Sequence, residues 1–175
     1  MELFGVTEKQ YGWIFALIAG GLIVSSQMNS LLLRKFKSEQ IIRIALFCQS
    51  ITGLTLILGS IYGWFGLYGT IGLIFVFLSC QGFTFPNSSA LSLAPFSKNA
   101  GSASALMGGI QMAIGASTSA VVSMLANETA IPMAAVMAAC SMIAFTTLMV
   151  GRKIIFMRAS AIKVQEESAE MLITS

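Results

Sequence analysis

The stretch Leu67–Pro95, LYGTIGLIFVFLSCQGFTFPNSSALSLAP, decides what kind of fold this chain can adopt. It runs for 29 residues without a charged side chain, and a helix needs only about 20 mostly apolar residues to cross a bilayer. Yet its second half carries Gln81, Thr84, Pro86, Asn87, Ser88, Ser89 and Ser92. In hydrocarbon such groups are costly unless a partner satisfies them. The stretch therefore reads as a membrane helix with one polar side.

Four more runs of the same kind surround it, at about 11–33, 41–62, 102–126 and 131–150. Short polar breaks separate them: RKFKSEQ (34–40), GWFG (63–66), FSKNAG (96–101) and NETA (127–130). Composition agrees, with 56% hydrophobic and only 10% charged residues, against about 25% charged in an ordinary soluble domain. The expected fold is all-α: a polytopic membrane bundle of five transmembrane helices over 1–151, followed by a polar cytoplasmic tail over 152–175.

Orientation follows from the cations, which concentrate on the cytoplasmic side of membrane proteins. Alternating spans put Arg34, Lys35, Lys37, Arg43, Lys98, Arg152, Lys153, Arg158 and Lys163 on one side and only Lys9 on the other. The N-terminus is then expected outside and the C-terminus in the cytoplasm. Tyr11, Trp13, Tyr62, Trp64 and Tyr68 fall at the outer ends of the first three spans, where amphipathic rings favour the headgroup level. No basic segment or small-residue cleavage site precedes the first run, so the start does not read as a secretory signal.

The chain has no His and no Asp, and its seven Glu lie outside the apolar runs. A catalytic triad or a zinc site needs such groups in convergent positions, so neither an enzyme nor a metal or cofactor site is expected. Cys48, Cys80 and Cys140 each fall in a separate run without paired spacing and read as small packing residues. The net charge of +3 points to no nucleic-acid partner.

At 100° per residue, Gln81, Thr84, Phe85, Ser88 and Ser92 share one sector of the third helix, with Asn87 and Cys80 on a flank. Pro86 has no N–H and crowds the carbonyl of Gly82, so a kink is expected there. Two readings stay open: the polar groups repair the backbone that Pro86 disturbs, or they line a cavity. In the second span Gln49, Thr52, Gly53 and Ser60 fall on one side, for an interhelical hydrogen bond or a water-filled space. The fourth span repeats small residues every four positions, Gly101, Ala105, Gly109, Ala113 and Ser117, and such rows let two membrane helices approach closely. The first span does so more weakly, through Gly12, Ala16 and Gly20 and through Gly21, Ser25 and Asn29.

The run Phe85–Ala116, FPNSSALSLAPFSKNAGSASALMGGIQMAIGA, resembles the tenth and eleventh helices of the Bcr/CflA (bicyclomycin and chloramphenicol resistance) drug:proton antiporters of the major facilitator superfamily. ELFGVTEKQYGWIFAL resembles that family's external junction between the seventh and eighth helices, and LLLRKFKSEQIIR the cytoplasmic loop after the eighth. The resemblance implies that the five spans are helices eight to twelve of a twelve-helix transporter, a partial C-terminal domain whose N-terminal half lies outside this chain. It further implies a cavity-lining role for the third span, an interdomain role for the fourth, and a place in the bacterial inner membrane.

The function expected is that of part of an efflux pump for small amphipathic, drug-like compounds. Substrate contacts are expected first at Gln81, Phe85 and Asn87, then at Thr84, Ser88, Gln49 and Gln111, by helical geometry. With no intramembrane carboxylate to carry a proton, the chain alone is not expected to be a competent pump. The alternative is a small membrane scaffold or subunit that acts by helix–helix association through the 101–117 face.

Overall fold

The computed structural model describes residues 7–125 and 131–174. The NETA junction at 127–130 and the first six residues lie outside the described part. In chain order come α1 (Glu8–Leu32), α2 (Ser38–Tyr62), α3 (Leu67–Leu93), a 3-10 turn (Ala94–Asn99), α4 (Ala100–Met124) and α5 (Ile131–Thr174). Among the described residues there is no strand.

Local chemistry sets the helix limits. Two glutamines reach back one turn to cap free backbone donors: the Thr7 N–H donates to Gln10 Oε1 at 3.0 Å and the Lys37 N–H to Gln40 Oε1 at 3.3 Å. Each leaves fewer unsatisfied groups at a helix start. α2 stops at Gly63, whose φ of +64° belongs to the left-handed region that glycine enters without strain. The chain then turns back through Trp64 and Phe65, and the Phe65 ring packs over Gly59, which has no side chain in its way.

Five α-helices are present, but the separate apolar stretches long enough to span a membrane number four, so the expected five spans are not confirmed. Four stretches are long and apolar enough to cross a membrane: Lys9–Leu32, Ser38–Tyr62, Leu67–Met124 and Ile131–Ile155. The expected third and fourth spans fall in one stretch of 58 residues, because FSKNAG forms a 3-10 turn and not an open loop. Its non-helical dihedrals lie at Phe96 (φ −103°, ψ 29°). The last helix, 44 residues long in all, also runs past its expected end at 150 and on through the polar tail to Thr174. That tail contains no Pro and no Gly after Gly151, so nothing in its composition interrupts helix propensity.

The helices pack in the order α1, α3, α2, α5. α2 supplies most of the core, with Ile41, Ile42, Ala45, Leu46 and Leu56 buried against Phe77 of α3 and Ala134 and Ala138 of α5. α4 touches its neighbours sparsely and buries no residue. The outside of the helices is largely apolar, with Phe15, Ile23, Ile44, Ile51, Leu106 and Ile143 all exposed. An apolar exterior of this extent calls for a lipid bilayer and not for water, and the chain is a membrane protein.

The two ends of the bundle differ chemically. Gln10 and Trp13 at the start of α1 share a groove with Tyr68 at the start of α3. At the other end, Leu91 of α3 shares a basin with Arg34, Lys35 and Lys37 of the α1–α2 turn. Aromatic residues thus gather at one end and cations at the other.

Candidate functional site

The polar residues of α3 hold helices together. Asn87 is only 1% exposed, and its Nδ2 donates to Asn29 Oδ1 of α1 at 2.6 Å and to the carbonyl of Phe83 at 2.8 Å. One turn and a half earlier, Gln81 Oε1 accepts from Gln49 Nε2 of α2 at 2.9 Å. α3 is therefore tied to α1 by an amide pair and to α2 by a second one. Buried polar groups left without such bonds would each cost about 1–3 kcal/mol.

Asn87 does serve a carbonyl beside the proline turn, but it also clamps two helices. Gln49, with Thr52 and Gly53, turns inward to protein. α3 is continuous as a helix through Pro86, and non-helical dihedrals lie further along, at Phe96. Two hydroxyls of the expected polar sector bond within their own helix. Thr84 Oγ1 donates to the Cys80 carbonyl at 3.0 Å and Ser88 Oγ to that of Phe85 at 3.1 Å, a common device for hydroxyls in apolar helices. Phe85 itself points outward and is 52% exposed.

The expected substrate contacts therefore do not converge on one cavity. Gln81, Asn87 and Gln49 are interhelical, Thr84 and Ser88 bond locally, and Phe85 faces away from the bundle. Gln111 is the candidate that lines an open space, a groove of about 460 Å³ between the 3-10 turn and α4. Ser92, Phe96, Leu106, Met107 and Ile110 form its other walls. The volume falls within the range of about 300–1,000 Å³ common for small-molecule sites. An aromatic ring, aliphatic walls and two amides, Asn99 and Gln111, suit an amphipathic compound better than a charged one.

Two participants carry more weight than the sequence suggested. Asn29 belonged to the weaker small-residue row, Gly21–Ser25–Asn29, and that row is the one that meets α3. At the crossing lies Gly82, where a Cβ would stand 2.8 Å from the Leu22 carbonyl oxygen and 2.9 Å from Ser25 Cβ. The signal was available in principle: an asparagine in an apolar run demands a partner. By contrast, nothing lies within 4 Å of a Cβ added at Gly12 or Gly20.

The stronger row, on α4, has no partner among the described residues. Gly101, Ala105, Gly109, Ala113 and Ser117 are all exposed, and a Cβ at Gly101 or Gly109 would meet nothing within 4 Å. Ser117 Oγ merely donates to the Ala113 carbonyl at 2.8 Å.

The amide clamp makes a specific prediction. Asn87→Leu should lower stability by about 0.6–2 kcal/mol, the span measured for interhelical bonds in membrane proteins, and Asn29→Leu by a similar amount. The double variant should lose less than the sum, since neither amide is then left unpaired. A double-mutant cycle by SDS titration in micelles reads this, and strict additivity would show that the two amides act independently.

No protein-family model and no solved structure matches the chain significantly. Among curated proteins, it is 31% identical over 141 residues to the bicyclomycin resistance protein homolog of Haemophilus influenzae (strain ATCC 51907 / DSM 11121 / KW20 / Rd). The match covers 81% of this chain and 35% of that relative, so the chain spans about a third of the relative's length. An all-helical apolar bundle that aligns with a bicyclomycin resistance protein homolog over four-fifths of its own length bears out the likeness read from Phe85–Ala116.

Proposed function

We propose that this chain is part of a drug-resistance transporter of the major facilitator superfamily, which exports small amphipathic compounds across the bacterial inner membrane in exchange for protons. The observation that carries the proposal is the 31% identity to a bicyclomycin resistance protein homolog. On this reading the five α-helices are helices eight to twelve, with the N-terminus outside and the C-terminus in the cytoplasm.

The packing of α5 supports five crossings. α5 runs antiparallel to α2, since Ala138 lies at Gly53, the Ser141 carbonyl accepts from Ser50 Oγ at 3.3 Å, and Phe145 meets Phe47. α4 then has to carry the chain from the basic end back to the aromatic end. A straight rod of the combined stretch would reach about 1.5 Å per residue, or about 87 Å, far beyond a bilayer core of about 30 Å. α3 and α4 are read as two crossings joined by the 3-10 turn.

Alternating access rocks one half of such a transporter against the other around a midplane site. The unpartnered small-residue face of α4 is the surface that meets the other half. The groove at Gln111 is where a compound would be held in part, its apolar body against Phe96 and Leu106. Proton exchange needs a group that ionises within the membrane, and the spans from 41–62 to 131–150 carry no Asp, Glu or His away from their ends.

Reconstituted alone, the chain should therefore show no substrate-dependent proton movement in liposomes loaded with a pH-sensitive dye. Coupled flux above that of empty liposomes would overturn this. A second reading, favoured by the same open face of α4, is a small membrane subunit that acts by helix association. Crosslinking from Gly109→Cys or Ser117→Cys in native membranes separates the two: a partner other than a transporter half supports the subunit.

A further inference from the structure

The α1–α2 turn joins two spaces of opposite chemistry. On its membrane side lies a cavity of about 240 Å³ with a wholly apolar surface, lined by Phe36, Ile41, Ile44, Cys48, Cys80 and Phe83 among others. On its outer side lies a shallow basin lined by Arg34, Lys35, Lys37 and Glu39, with Leu91 as its floor. Phe36 lines both. Arg34, Lys35 and Lys37 are exposed, and three cations against one carboxylate leave the basin positive. The first turn of α2 starts at Ser38 in the same basin, adding free backbone N–H groups that favour an anion.

From this juxtaposition we propose that the turn binds one anionic phospholipid of the adjoining leaflet, with the phosphate at Arg34, Lys35 and Lys37 and part of an acyl chain in the cavity between α1, α2 and α3. The two halves together select the ligand class. A cavity of about 240 Å³ falls below the usual small-molecule range of about 300–1,000 Å³, yet it suits a segment of flexible chain. Its lack of polar surface offers nothing to orient a free solute. The basin alone would bind any anion weakly, whereas a lipid is delivered in the plane of the membrane with its charge already at the right depth. Such a lipid would fill the gap between three helices, and this role is separate from compound export.

Two native thiols report on the cavity. Cys48 and Cys80 line it, while Cys140 is exposed on α5 and does not. The full chain would be reconstituted in phosphatidylcholine with or without phosphatidylglycerol and treated with N-ethylmaleimide, and retained lipid would be counted by native mass spectrometry. Phosphatidylglycerol should be retained in preference to phosphatidylcholine at one copy. It should slow modification of Cys48 and Cys80 several-fold while leaving Cys140 unchanged. Arg34→Gln/Lys35→Gln/Lys37→Gln should abolish both effects. Because that variant removes charges that also set topology, Ile44→Trp provides an independent arm: it fills the apolar cavity with the basin intact and should abolish the single-copy retention. Equal retention of both lipids, equal protection of Cys140, or full retention by Ile44→Trp would overturn the proposal.

Discussion

Replacing Gly82 by leucine is expected to separate α1 from α3 and to lower stability by at least the upper end of the about 1–3 kcal/mol usual for overpacking. A Cβ at this position stands 2.8 Å from the Leu22 carbonyl oxygen, and a backbone atom cannot rotate out of the way. Moving α1 aside also lengthens the 2.6 Å bond between Asn87 and Asn29, so a steric cost and a polar one arrive together. The sign is informative because intrinsic helix propensity acts the other way, favouring leucine over glycine by about 0.8–1 kcal/mol. Gly12→Leu is the matched control: nothing lies within 4 Å of a Cβ there, and the same exchange should be neutral or stabilising. SDS titration of both variants in micelles reads the contrast. Equal shifts would mean that the α1–α3 crossing is not as close as described.

Gly53→Leu is expected to act as strongly on the opposite side of the bundle. Its Cβ would lie 3.0 Å from Ala138 Cα and 3.2 Å from Ala138 Cβ of α5, with the Phe77 ring of α3 at 3.4 Å. Three helices meet at this point, and Ala138 is 1% exposed, so α5 has to retreat from α2 as a unit. The Ser50–Ser141 bond and the Phe47–Phe145 contact, whose ring centres lie 6.0 Å apart, should be lost with it. Native cysteines supply the measurement. Spin labels on Cys48 of α2 and Cys140 of α5, in a Cys80→Ala background, should give a longer and broader distance in Gly53→Leu and an unchanged one in Gly82→Leu. An unchanged distance in Gly53→Leu would show that α2 and α5 do not depend on that glycine.

Much of this architecture was legible in the residues. Long apolar runs announced the helices, and the shared side of α2 at Gln49, Thr52 and Gly53 was visible from spacing alone. The likeness to bicyclomycin resistance proteins was carried by Phe85–Ala116. Less legible was which of several suitable faces would be used. A row of small residues says that a helix can be approached closely, but it does not name the approaching helix. The row on α4 is the better pattern and stands empty, whereas the weaker row through Ser25 and Asn29 is filled by Gly82. The polar sector of α3 poses a related question. Periodicity reports the direction in which Thr84 and Ser88 leave the helix axis, yet a hydroxyl can fold back on its own carbonyl and need no cavity at all. At FSKNAG polar composition marks a break in hydropathy, but the backbone crosses it in the 3-10 turn Ala94–Asn99, so the two spans expected there fall in one apolar stretch.

The Asn29–Asn87 pair also constrains how this sequence can change over generations. Losing either amide strands the other in a dry interface, while losing both together costs less. The first step away from the pair is thus the steep one, and lineages should be found on either side of it and seldom on the ledge between. Relatives that have abandoned asparagine at one of the two positions are expected to have abandoned it at the other as well, with two apolar residues or a small–large exchange in their place.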